Sequence, residues 1–118
     1  MTELNNSSLS YVHLNQLVIL IGSLSDELAN DEENATLFYQ RGLLRVKLHE
    51  AAENSGIAAY MDDHLGDACM DFEEALHFSI QAGEIPLIHQ AYGKALSLCG
   101  NHEAAATHFK KASDIKQS

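Results

Sequence analysis

Cations are scarce in this chain. Seven Lys and Arg stand against 17 Asp and Glu, a formal charge of −10. No Lys or Arg precedes Arg41, and none lies between Lys47 and Lys94. Phosphate contacts need clustered cations, so nucleic acid is not an expected partner. A secretory leader needs a positive N-terminal region, and none is apparent. Proline occurs once, at Pro86, which leaves long periodic segments uninterrupted and argues for an all-helical fold. The two cysteines are too few for a disulfide framework. Cys69 and Cys99 fall on apolar stripes and read as small core residues of a reducing compartment. The longest apolar run, Leu17 to Ile21, is too short to cross a membrane. The expectation is a soluble, cytoplasmic, single all-α domain over 1–118. Its 46% hydrophobic residues suffice for one core without metal or cofactor.

The pattern within the chain gives five helices, 9–29, 35–53, 57–82, 86–99 and 102–116, after a polar, frayed 1–7. In the first, Leu14, Leu17, Val18, Leu20, Ile21, Leu24 and Leu28 share one broad core face, with Val12 and Ile19 on the far side. That i, i+7 pair is a candidate homodimer contact. Asn34 reads as the N-cap of the second helix, which is apolar on two sides and therefore central. Pro86 suits the first turn of the fourth helix, and Gly100 with Asn101 marks the break before the fifth.

Two stretches repeat one spacing. Gly93, Ala105, Phe109 and Ala112 are separated by gaps of 12, 4 and 3, and Gly42, Ala68, Phe72 and Ala75 by 26, 4 and 3. Together with Phe38-Tyr39 and Tyr92, these residues resemble the tetratricopeptide repeat, a helix–turn–helix unit of 34 residues in which small residues mark the close helix crossing. Arg41 and Arg45 stand where the family usually has an aliphatic and an aromatic residue, and His89 where it has an aromatic. The excess of 14 residues in the first copy equals two extra turns on each helix, about 7 residues apiece. The resemblance implies a tetratricopeptide-like α-solenoid. In it, 9–29 is a capping helix, 35–82 an elongated hairpin and 86–116 a standard one. Two repeats are fewer than such stacks normally need, so the first helix must cover an exposed face or the chain must self-associate.

By the same resemblance, the first helices of the hairpins line a concave groove for a segment of a partner protein. Tyr39, Leu43, Val46 and Lys47 from one helix would line it, with Leu87, Gln90, Ala91 and Lys94 from the other. The function expected is a non-enzymatic adaptor or chaperone-like scaffold binding a basic or amphipathic segment, with no membrane role. The acids Glu50, Glu53, Asp62, Asp63, Asp67, Asp71, Glu73, Glu74 and Glu84 read as a solvated face or a surface for a basic partner. Two other classes compete. A metal-binding helical enzyme would use His49 and His64 with nearby carboxylates. Against it, Glu74-x-x-His77 is a single motif where dimetal bundles need two, and neither cysteine has an activating histidine on its own face. The third class is a purely structural homodimer.

Overall fold

The computed structural model describes residues 2–57, 60, 62–79, 81 and 83–117. Five helices and no strand occur among them: α1 (Thr2–Asn30), α2 (Ala35–Ser55), α3 (His64–Phe78), α4 (Ile85–Leu98) and α5 (His102–Gln117). Each helix packs on its successor, and α2 also touches α4.

The helix ends follow from their capping residues. Asn34 Oδ1 accepts the Leu37 N–H at 3.0 Å, which opens α2 as expected. Gly56, at φ 64°, closes it, donating its N–H to the Ala52 carbonyl at 2.9 Å. Pro86 lies in the first turn of α4. At the other end of that helix Gly100 (φ 87°) donates to Ser97 and Asn101 to Leu96, the paired bonds of a Schellman motif. α1 starts at Thr2, ahead of the expected residue 9, because no Gly or Pro in 2–8 interrupts it.

One expected element is corrected. The third helix does not begin at Ile57. α2 has 21 residues and α4 has 14, so the first helix gains its seven-residue extension. α3 has 15 and α5 has 16, so the second helix gains none. Of the remaining surplus, the described residues 57, 60, 62 and 63 lie outside both helices. Of these, Ile57 and Tyr60 pack on the Leu14, Leu17, Leu48 and Ala52 cluster, between α1 and α2. Tyr60 also donates its hydroxyl to Asn15. Asp63 then accepts the Gly66 N–H at 3.0 Å and starts α3. A short polar side chain that binds a backbone N–H ahead of it favours a helix start over a helix interior. At its far end α3 stops at Phe78; of the residues expected to continue it, Ile80 and Ala82 lie outside the described ones, as does Met61 of its expected start.

The repeated spacing appears as repeated packing. A Cβ added to Gly42 would lie 2.6 Å from the Phe72 ring, and one added to Gly93 would lie 2.7 Å from the Phe109 ring. In both hairpins the ring of the second helix rests on bare backbone of the first. Ala68, Ala75, Ala105 and Ala112 flank these rings and are buried. The two copies differ in cover. Phe72 is wholly buried because Tyr92 of α4 lies over it, with ring centroids 6.2 Å apart. Phe109 is 44% exposed.

Two faces differ from expectation. Val18 and Leu20, assigned to the core side of α1, are 45% and 50% exposed; only Leu14, Leu17 and Leu28 of that set are fully buried. Cys99 is exposed at the end of α4 rather than packed, while Cys69 is half-buried.

Gly42→Ala is expected to lower stability by about 1–3 kcal/mol, since the buried Phe72 ring cannot retreat and overpacking outweighs the gain of about 0.8–1 kcal/mol in helix propensity. Gly93→Ala should be nearly neutral, because the half-exposed Phe109 ring can swing outward. Urea midpoints of the two variants test the difference.

Candidate functional site

A cavity of about 290 Å³ opens between α2 and α4, lined by Gln40, Leu43, Leu44, Val46, Lys47, Glu50, Ala91 and Lys94. It contains Leu43, Val46, Lys47, Ala91 and Lys94 from the expected groove set. Gln40, Leu44 and Glu50 join them one turn away along α2. Tyr39 does not line it; it packs on Phe72 with centroids 6.3 Å apart, and burial raises its phenol pKa. Leu87 and Gln90 are exposed on α4 outside the cavity. The floor is aliphatic and the rim is charged, with Lys94 Nζ 3.3 Å from Glu50. That bridge joins two half-exposed side chains and so contributes little stability; it draws the rims of α2 and α4 together.

The acidic face is mostly spoken for. Glu50 meets Lys94, Glu53 meets His49, Asp63 caps α3, and Glu84 accepts the Thr36 hydroxyl. Glu73 accepts the Tyr92 hydroxyl at 2.5 Å. Asp71 corrects the expectation outright. Placed by the helical wheel on the solvent side, it is 2% exposed. Arg41 holds it with both Nε and Nη2, the latter at 2.7 Å, and Arg45 Nη1 holds its other oxygen at 2.7 Å. Arg41 also donates to the Ser25 hydroxyl on α1 at 3.1 Å and lies over the Phe38 ring. The two arginines that depart from the repeat pattern thus answer one buried acid.

His89, the third departure, stacks on His108 with centroids 5.1 Å apart, and His108 stacks on Tyr92 at 4.2 Å. The two Nδ1 atoms face each other at 2.9 Å, so only one can carry a hydrogen while the bond lasts. Burial lowers both pKa values. The neighbouring imidazole and Lys111 lower His89 further; Lys111 lowers His108 further, with Glu73 opposing.

The residues of the metal reading do not converge. His49 pairs with Glu53 on its own helix at 3.4 Å, and His64 Nε2 faces the Tyr60 carbonyl at 2.7 Å. Among the described residues no three His, Cys, Asp or Glu side chains could hold one ion. The Cys69 thiol is pushed up to about 12, first by burial and then by Cys99, which leaves it protonated and weakly nucleophilic near neutral pH. Val12 and Ile19 stand free on α1, 53% and 66% exposed. No helix among the described residues is long and apolar enough to cross a membrane. No family model, curated protein or solved structure matches this chain.

Two outcomes are expected. Asp71→Asn leaves Arg41 and Arg45 facing a neutral amide and should cost about 3 kcal/mol in urea denaturation, with Arg45→Gln milder because it removes one contact only. The histidine pair makes stability pH-dependent. Its lowered folded pKa values mean that the unfolded chain binds more protons once pH drops below about 6.5. Stability is therefore full above that value and lost as pH falls through the folded pKa values. Each imidazole kept neutral steepens the loss by at most about 1.4 kcal/mol per pH unit. His89→Phe keeps the stacking and should flatten that slope between about pH 7 and 5.5, read from urea midpoints.

Proposed function

We propose that this chain is a non-enzymatic, tetratricopeptide-like interaction module whose two stacked hairpins hold an amphipathic segment of a partner protein in the groove between α2 and α4. The observation that carries the reading is the aliphatic floor of Leu43, Val46 and Ala91 beneath the Lys47, Glu50 and Lys94 rim. The doubled Gly–Phe crossing supports the repeat assignment. It brings α2 beside α4, as neighbouring first helices stand in such stacks. An apolar stripe about 100° wide on a helix fits such a floor, with polar flanks left to the rim.

The groove is favoured over the acidic surface because the acids are occupied. Of the nine between Lys47 and Lys94, six make side-chain bonds within the chain. Only Asp62, Asp67 and Glu74 make none; the other six are already held by donors of the chain itself, although those bonded to neutral groups keep their charge. The groove carries two cations and one anion, so a segment with an acid beside its apolar stripe matches it better than a basic one.

Photo-crosslinking amino acids at Gln40 and Lys94 test this reading, with Thr107 on α5 as the control position. One partner protein should be captured from the first two positions and not from the third. Its crosslinked segment, made as a peptide, should bind the purified chain and lose at least about tenfold in affinity, or 1.4 kcal/mol, with Ala91→Arg. Equal capture at all three positions, or a peptide indifferent to Ala91→Arg, would refute the groove.

A further inference from the structure

We infer that Cys69 and Cys99 are an oxidisable dithiol whose disulfide staples the second hairpin to the first. The two residues lie on different sides of the hairpin junction, Cys69 within α3 and Cys99 at the end of α4. The register of α3 against α4 brings them together. Only residues 79–84 separate the two helices, so α4 runs back along α3. The Tyr92 hydroxyl donates to Glu73 at 2.5 Å, and the Tyr92 and Phe72 rings stand 6.2 Å apart, so these residues face each other across the pair. Cys69 lies four residues before Glu73 on α3, and Cys99 seven residues after Tyr92 on α4. Steps of four and of seven each return to the same helix face. Because the helices run in opposite directions, both steps lead to the same end of the pair. There the two thiols share a side-chain hydrogen bond, with Cys69 packed on the core cluster beside Leu96.

The two thiols differ in access, and that sets the order of the chemistry. Cys99 is exposed, with Gly100 at φ 87° behind it; Cys69 is half-buried. An external oxidant therefore reaches Cys99, and Cys69 resolves the product. The oxidant is a low-molecular-weight disulfide of the glutathione class. Cys99 loses its proton and its thiolate attacks one sulfur of that disulfide. The S–S bond breaks, and one glutathione leaves and takes up a proton. Cys69 then loses its proton and attacks Cys99 Sγ. The bond from Cys99 to glutathione breaks, and the second glutathione leaves with a proton. Two protein thiols are oxidised, one glutathione disulfide is reduced to two thiols, and the protons balance.

The second step is the slower one. Burial first, then Cys99, Glu73 and Asp63, hold the proton on Cys69. Joining Cys99 to glutathione removes its share, while burial and the two acids remain. A shared metal is not the alternative use of the pair, because among the described residues no third His, Cys, Asp or Glu completes a site. The disulfide closes a loop that contains the whole α3–α4 junction, so its constraint falls between the hairpins and not within either one. Neither cysteine lines the α2–α4 groove, so the inference stands apart from that function.

The test treats the reduced full chain with glutathione disulfide, quenches with acid and alkylates what thiols remain. Intact mass should show both thiols lost and no glutathione retained, in a monomeric chain, and peptide mapping should join Cys69 to Cys99. Dithiothreitol should reverse the change. Cys69→Ser should stop with one glutathione on Cys99, and Cys99→Ser should react at least about tenfold more slowly than the unaltered chain. The oxidised chain should melt about 5–10 °C above the reduced one, because the cross-link restricts the unfolded state. Glutathionylated Cys69→Ser should show no such rise, and far-UV circular dichroism confirms that each variant stays folded. Both thiols still free, one glutathione on each thiol, or a disulfide between two chains overturns the inference. So does an internal disulfide that leaves the melting temperature unchanged or lowers it, since such a bond forms in an opened chain and not across the native register.

Discussion

The Phe72 ring is where the two hairpins are joined. It lies across the bare backbone of Gly42, between Tyr39 on one side and Tyr92 on the other, with no exposed surface. One side chain thus serves as the crossing contact of α2 with α3 and as the seat for α4. The spacing between α2 and α4, and with it the width of the groove, depends on how deep that ring sits. A buried aromatic has few ways to move in a packed interior. The groove is therefore held by the core and not by its own rim, whose single ion pair is half-exposed.

The Arg41–Arg45–Asp71 cluster adds direction to that packing. Apolar contacts tolerate sliding; a carboxylate held by two guanidinium groups tolerates much less, because an unpaired charge in that position is costly. Through Ser25, Arg41 also ties in α1, so three helices meet at one polar point. Replacement by apolar residues of matching shape could be as stable. What the charges add is a penalty on every other alignment of α1, α2 and α3.

The sequence made the elements legible wherever local chemistry decides them. Asn34, Gly56, Pro86 and Asn101 stand within a residue of the ends they mark, and Gly100 stands two past the end of α4. The Gly–Ala–Phe–Ala spacing located both crossings. Five of the eight groove residues line one cavity. The failures share a cause, which is that a helical wheel orders faces without saying what covers them. Asp71 looks like any surface acid until Arg41 and Arg45, 30 and 26 residues earlier, are brought to it. Ile57 continues the α3 stripe in register, yet it is used against α1. The pair of adjacent acids at 62–63 was the available sign of a later helix start. Tyr39 fits the groove by pattern but is drawn into the core by Phe72.

The two helical hairpins leave different faces at the two ends of the fold. At the far end Phe109 repeats the position of Phe72, no helix among the described residues lies over it, and Lys110 and Lys111 stand beside it. At the near end α1 covers α2 and then presents an uncharged strip. Covering one apolar face with a helix only moves the problem outward if that helix is apolar on both sides. Leu9, Val12, Ile19 and Leu20 show that α1 is. Residues 4–25 carry no Asp, Glu, Lys or Arg, in a chain with 17 acids to distribute, so the outer side of α1 is exposed without being charged.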